Sequence, residues 1–323
     1  MEYYVGLDVS LKRTSGPARI GLENLTSKPG IREQHRSKSV IQRIPSMDDP
    51  TPLLGIVANS VASFSIGFAK LRVIGKQEDA TLAGSGALVT VGPIRGILTA
   101  AHVLKELPDR GQVGLIQFST NPVLQKQSID MYLTDRLTIG GEHNGADGPD
   151  IGFLRLASHQ AATLDATNVF FNLSKREESV LADNHPSAKS FAGVCGVIDK
   201  WTTEEPAGGS GFDRLKAFHG LFGVGVVAGT RESGGYDLID FLTTYEENSK
   251  APYSYKGMSG GALWRVYVTT ASDGQPSVLD KRIFGVAFHE SDLVDGKRTV
   301  WCHGPKSVYG VLVQEIRKKW SMA

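Results

Sequence analysis

Cysteine is nearly absent: Cys195 and Cys302 are the only two in 323 residues. Two thiols cannot build the disulfide framework of a small secreted domain, and these two are not spaced as a metal pair. Both are expected to be reduced and buried, with a single bridge between them as the open alternative. An excess of one charge is also lacking. Lys and Arg number 35 against 34 Asp and Glu, a net charge of +1, so charge gives no reason to expect nucleic acid or a membrane surface as partner. No apolar run approaches the roughly 20 residues that span a bilayer. The opening Met1-Glu2-Tyr3-Tyr4 has no basic segment leading into an apolar one, and a cytoplasmic chain is expected.

What is present is the composition of a folded protein, 41% apolar and 21% charged, with 37 glycines that imply many turns. The length suits two domains of roughly 150 residues. Residues 1–60 read as a polar extension, partly disordered, with Lys28-Pro29-Gly30, a basic run from Arg32 to Lys38 and little periodicity. Within it, Tyr4-Val5-Gly6-Leu7-Asp8-Val9-Ser10 resembles the first strand of certain insertion-sequence transposases, in which the Asp binds metal. The other carboxylates of such a site are missing, so the segment is taken as a short strand or a remnant.

From Ser63 onward, short apolar or alternating runs are separated by Gly, Asn, Asp or Pro, which is the pattern of strands. They fall into two sets, residues 61–173 and 174–306. The first holds Phe64 to Phe68, Gly86 to Val91, Val113 to Phe118 and Ile151 to Leu156. The second holds Phe191 to Trp201, Phe222 to Ala228, Ala262 to Val268, Arg282 to Phe288 and Thr299 to His303. A mostly β chain of paired barrels is expected. Pro206-Ala207-Gly208-Gly209-Ser210-Gly211 has no Lys-Ser/Thr pair after it and reads as a flexible surface loop rather than a phosphate-binding one. Val308, Val311, Leu312, Glu315, Ile316 and Lys319 recur at helical spacing, so residues 307–323 are expected to form a closing helix on the second barrel.

Three segments place a reactive side chain in a context that fits a role. Gly96-Ile97-Leu98-Thr99-Ala100-Ala101-His102 runs an apolar strand into small residues just before an imidazole, the setting of a held general base. His289 and His303, lacking that context, read as structural histidines. In Asp147-Gly148-Pro149-Asp150-Ile151-Gly152-Phe153-Leu154, Asp150 leads into a buried-looking strand, where a carboxylate can accept an imidazole N–H away from water. Asp147, separated by Gly148 and Pro149, reads as a solvated turn residue. Lys256-Gly257-Met258-Ser259-Gly260-Gly261 forms a sharp turn that exposes the Ser259 hydroxyl. In it the N–H groups of Gly257 and Ser259 can converge as an oxyanion hole.

In their order and motifs these segments resemble the chymotrypsin-like (trypsin-type) serine proteases, with Thr-Ala-Ala-His, Asp-Ile-x-x-Leu and Gly-x-Ser-Gly-Gly hallmarks. The resemblance runs from about Ser63 to the C-terminus. It implies two six-stranded antiparallel β-barrels with the active-site cleft between them, His102 and Asp150 from the first and Ser259 from the second. It further implies a serine endopeptidase acting on a protein or peptide substrate, without metal or other cofactor. Met258 stands where secreted digestive relatives carry an Asp that pairs with a processed N-terminus. The chain therefore resembles the bacterial, non-zymogen members, and activity is expected without processing. By the same resemblance Tyr253 lies at the base of the substrate pocket and Phe288-His289-Glu290 forms one wall. Tyr253 is no carboxylate, so an apolar or small residue is expected on the acyl side of the scissile bond, with Glu290 the other candidate source of charge. Ser307 lies near the pocket's other wall.

Two other readings fit parts of this pattern. Gly257-x-Ser259-x-Gly261 matches the nucleophile elbow of α/β-hydrolases, but too little chain follows Ser259 for the Asp and His that fold needs, and His102 would be idle. A protease-like fold that only binds is the stronger rival, because fold alone does not establish catalysis.

Overall fold

The computed structural model describes residues 4–11, 51–74, 77–118, 127–141, 147–184, 186, 188–206, 214–247, 251–272 and 274–320. Most of the 1–60 extension and the Ala207–Gly211 part of the loop therefore lie outside the described residues.

The chain is mostly β, in two sheets, with a C-terminal helix. The first sheet comprises β2 (Ser65–Ile74), β3 (Gln77–Val91), β4 (Ile94–Thr99), β5 (Gln112–Gln117), β6 (Gln127–Asp130), β7 (Asp135–Gly140) and β8 (Asp150–Arg155). Their order is β6-β5-β2-β3-β4-β8-β7, antiparallel throughout, with β9 (Phe171–Asn172) added in parallel to β3. The second sheet comprises β10 (Lys189–Pro206), β11 (Arg214–Ser233), β12 (Tyr236–Thr244), β13 (Ala262–Thr270), β14 (Pro276–Glu290) and β15 (Lys297–His303). It runs β11-β10-β13-β14-β15-β12 and returns from β12 to the second half of β11, a ring of six strands. The segment expected as a short strand, β1 (Tyr4–Leu11), pairs with the first half of β11 outside that ring. The first sheet is instead an open path of seven strands.

Strand β8 shows why its residues adopt this state. Ile151, Phe153 and Leu154 are fully buried, a continuous apolar run that needs cover on both faces. Helix α1 (Thr51–Ala62) buries Leu54, Val57, Ala58 and Val61, one face at helical spacing, so the boundary drawn at residue 60 cuts through packed structure. Three shorter helices follow: α2 (Ala101–Glu106), α3 (Ser158–Asp165) and α4 (Leu173–Leu181).

The closing helix departs from the expected face. Its first turn, Lys306–Leu312, is π-helical and continues into α5 (Val313–Lys319). The wider i→i+5 winding turns Tyr309 and Val313 inward beside Val308, Leu312 and Ile316, and Val311 is only half-buried. Nor does it pack on the second sheet alone. Tyr309 Oη donates to the Ile283 carbonyl on β14 at 2.8 Å, while Trp320 Nε1 donates to Asp135 on β7 at 2.8 Å.

Where the two sheets face each other, Trp264 of β13 packs between Phe64 and Phe171, with ring centroids 5.5 and 5.3 Å away. Cys195 and Cys302 are buried free thiols, and burial pushes Cys195 up to about 12. No helix among the described residues is long and apolar enough to cross a membrane.

Trp264 is fully buried. Trp264→Ala should cost about 3–5 kcal/mol, from lost transfer energy and the cavity left behind. Equilibrium denaturation measures it, and a loss under about 1 kcal/mol would mean that the aromatic cluster does not hold the sheets together.

Candidate functional site

A cavity of about 570 Å³ opens between the sheets, and His102, Asp150 and Ser259 all line it. His102 is not at the strand end expected from the sequence. It is the second residue of α2, which starts directly after β4 with Ala100 as its cap. Ala100 has no side chain that could accept the first free N–H groups of that helix. Asp150, the first residue of β8, supplies the acceptor instead. Its Oδ1 accepts the His102 backbone N–H at 2.9 Å, and its Oδ2 bonds His102 Nδ1. Both carboxylate oxygens thus hold one residue, backbone and ring together. The small residues permit this approach, for a side chain at Gly152 would meet Leu104 Cδ1 at 2.8 Å and the Ala101 Cα at 3.3 Å.

Asp147 is elsewhere. Its side chain is 78% exposed and pairs with Arg231 at 3.1 Å.

Behind Asp150 stands a residue that sequence reasoning set aside. His303, at the end of β15, accepts the Asp150 backbone N–H on Nε2 at 2.8 Å. An imidazole that accepts there carries its proton on Nδ1 and is neutral. His303 is fully buried against Phe288, with ring centroids 4.7 Å apart. Burial lowers its pKa from 6.5 to about 4, outweighing the opposite pull of Asp150 and Asp237.

In the 256–261 turn the backbone groups divide. The N–H groups of Met258, Gly260 and Gly261 donate to Tyr255, Ala287 and Met258 carbonyls at 2.8, 2.7 and 2.7 Å. Those of Gly257 and Ser259 donate to no partner among the described residues, and both residues line the cavity. Gly257 has φ +96°, and at Gly260, with φ +86°, a Cβ would lie 2.0 Å from Thr99 Oγ1; only glycine fits either place. Met258 is buried among Val194, Ile198, Leu221 and Leu263, so apolar packing anchors the turn where an Asp was missing. Among the described residues no hydrogen bond joins Ser259 Oγ to His102.

Of the expected pocket residues, Phe288, His289 and Glu290 line the cavity. Tyr253 does not: it is 53% exposed, with its ring edge-on to Tyr245 and facing Lys200. Tyr255, two residues on and buried, lines the cavity in its stead, together with Val300. Glu290 offers little charge to a ligand. It accepts from Ser254 Oγ at 2.7 Å and the Tyr255 N–H at 2.8 Å, and pairs with Arg298 at 2.8 Å. Ser307 is fully buried and bonded to Asp237, away from the cavity lining.

Because the folded pKa of His303 is lowered, the unfolded chain binds a proton there at pH values where the folded chain does not. Its contribution to stability is present above pH 6.5 and is lost as pH falls to about 4 and below. Between about pH 7 and pH 4 that loss should be roughly 3 kcal/mol, read by urea unfolding at the two pH values. His303→Gln keeps an acceptor without titrating and should flatten this limb; an unchanged acid limb would show that His303 does not carry it.

No protein-family model matches the sequence, and no curated protein matches it. A solved structure from Sesbania mosaic virus, described as "Aromatic interactions drive the coupled folding and binding of the intrinsically disordered Sesbania mosaic virus VPg protein", is similar over 79% of this chain and 92% of that one. At 14% identity and a TM-score of 0.38, that likeness carries no argument about fold or activity.

Proposed function

We propose that the protein is a serine endopeptidase of the chymotrypsin-like kind, its two sheets corresponding to that family's paired barrels. One arrangement carries the reading. A histidine held by both oxygens of Asp150, one on its ring and one on its backbone N–H, shares a cavity with Ser259 and with the two N–H groups of the same turn that have no partner among the described residues.

With Asp150 on Nδ1, His102 keeps Nε2 free of a proton and able to act as base. It takes the Ser259 hydroxyl proton as Oγ bonds the scissile carbonyl carbon, and the carbonyl π pair moves to oxygen. The N–H groups of Gly257 and Ser259 meet that oxyanion. Collapse breaks the C–N bond, the departing amine takes the proton from His102, and an acyl-Ser259 remains. Water, deprotonated by His102, releases the acid and restores Ser259.

Serine is the nucleophile in this scheme and Asp150 the orienting carboxylate. A fluorophosphonate should therefore label wild-type protein at Ser259 and leave Ser259→Ala unlabelled. Asp150→Asn, which favours the wrong imidazole tautomer, should lower peptide turnover by about 10⁴ with the fold intact by circular dichroism. Asp147→Asn should change it by less than about tenfold. An unlabelled wild-type chain would favour a binding module instead.

Substrate preference follows from the walls. Tyr255, Ala287, Phe288 and Val300 are apolar surfaces, and the Glu290 carboxylate is already neutralised by Arg298. An apolar side chain, on the acyl side of the scissile bond, fits this lining. A cation there would be desolvated without a free counter-charge. In a peptide library, Leu or Phe at that position should exceed Lys or Arg by about tenfold or more in kcat/KM. A preference for Lys or Arg would refute this account of Glu290.

A further inference from the structure

The turn that carries both unused N–H groups is held by its carbonyls. A trans peptide is planar with its N–H opposite its C=O, so anchoring the oxygen aims the hydrogen the other way. The Lys256 carbonyl, in the peptide that bears the Gly257 N–H, accepts from the Asp199 N–H at 2.9 Å. The Met258 carbonyl, in the peptide that bears the Ser259 N–H, accepts from the Gly261 N–H at 2.7 Å. Two carbonyls of this stretch remain, those of Gly257 and Ser259, and one residue of β3 takes both. The Ser85 hydroxyl donates to the Gly257 carbonyl at 2.7 Å, and the Ser85 backbone N–H donates to the Ser259 carbonyl at 2.7 Å.

Ser85 is fully buried. Its Oγ also accepts the Val197 N–H of β10 at 2.8 Å, and its own carbonyl accepts from Thr99 Oγ1 at 2.7 Å. One side chain from the first sheet is thereby locked to the second sheet and to the turn at once. Of the four carbonyls from 256 to 259, three are anchored by backbone donors, which no substitution other than proline removes. Only that of Gly257 depends on a side chain. It also belongs to the residue least able to hold its own conformation, a glycine at φ +96°.

We propose that Ser85 is a positioning residue for the oxyanion-binding turn: its hydroxyl, by fixing the Gly257 carbonyl, sets the ψ of a glycine at φ +96° and so holds Gly257 in the conformation that presents its own N–H to the cavity. This rests on the protease reading of the site. Without the hydroxyl, the Gly257–Met258 peptide is held from one side alone, by the Met258 N–H bond to the Tyr255 carbonyl at 2.8 Å, Gly257 can leave its conformation, and stabilisation of the tetrahedral intermediate falls while substrate binding remains. Losing one oxyanion donor outright costs about 10²–10³ in turnover. A donor merely released from its best orientation should cost less, about 10–100-fold.

The test compares wild type, Ser85→Ala and Ser85→Cys on one peptide ester, with the folded fraction of each taken from its circular dichroism melt. Wild type should turn over. Ser85→Ala should lose about 10–100-fold in kcat with KM within about threefold. Its affinity for a peptide trifluoromethyl ketone, whose hemiketal carries the oxyanion, should fall by a similar factor. Ser85→Cys, with a weak S–H donor of similar size, should lie between, and it decides the question if the alanine variant does not fold. Folded variants with kcat within about twofold of wild type overturn the proposal. So does a loss of kcat that only tracks the folded fraction, or an unchanged ketone affinity. A folded wild-type chain that neither hydrolyses the ester nor accepts a fluorophosphonate overturns the protease reading, and this inference with it.

Discussion

A buried peptide group must find a partner, and a turn lying between two sheets cannot find all of its partners in one of them. The 256–261 turn follows β12 and leads into β13, yet the donors for its carbonyls from 256 to 259 come from three places. Asp199 is on β10, Gly261 is within the turn, and Ser85 is on β3 of the other sheet. The N–H groups left over, among the described residues, are those of Gly257 and Ser259, two residues that line the cavity. What looks like a prepared anion site is thus the remainder after the turn's other polar groups have been satisfied, and it lasts only while the two sheets stay in contact. The aromatic packing of Trp264 with Phe64 and Phe171 acts on the same contact, and so on the site's geometry as well as on stability.

The same division holds at the other end of the cavity. Asp150 belongs to the first sheet, and its carboxylate holds His102 there, but its backbone N–H is held by His303 of the second. A neutral imidazole is needed for that bond, and burial keeps it neutral down to about pH 4. The Asp150 carboxylate beside His102 is therefore backed by an uncharged acceptor. A cation in the same position would compete with His102 for its charge.

The sequence made the local parts of this legible and left the distant ones hidden. His102, Asp150 and Ser259 each sit in a run whose glycines, alanines and apolar neighbours report their own backbone, and the structure gathers all three around one cavity. Strand β12 passed unnoticed because Asp237 and Asp240 interrupt its apolar pattern. Asp237 serves the C-terminal helix, accepting the Lys306 and Ser307 N–H groups at 2.9 and 2.7 Å, a role set by chain some 70 residues away. The resemblance puts Tyr253 in the pocket, but Tyr255 is the residue that lines the cavity. Ser85 gave no signal, since Gly84-Ser85-Gly86 looks like any flexible stretch until the partners of its hydroxyl are known. The face of the closing helix was misjudged for a similar reason: a π-helical turn leaves no mark in a spacing rule built on 3.6 residues.

Met258 also helps to hold the turn. An aspartate there would tie the turn to a partner cation and to the pH range in which that pair is charged. Met258 is buried in an apolar cluster instead, and its sulfur packs so closely on β10 that a Cβ at Gly196 would meet it at 2.4 Å. The anchors of the turn described above, this packing, the backbone bonds and the Ser85 hydroxyl, contain no group that titrates near neutrality. Loss of the turn is therefore not a source of pH dependence in that range. The two halves of the cavity are in this sense chemically independent. One is held by charge and one by neutral hydrogen bonds and packing, and the contact between the sheets is what brings them together.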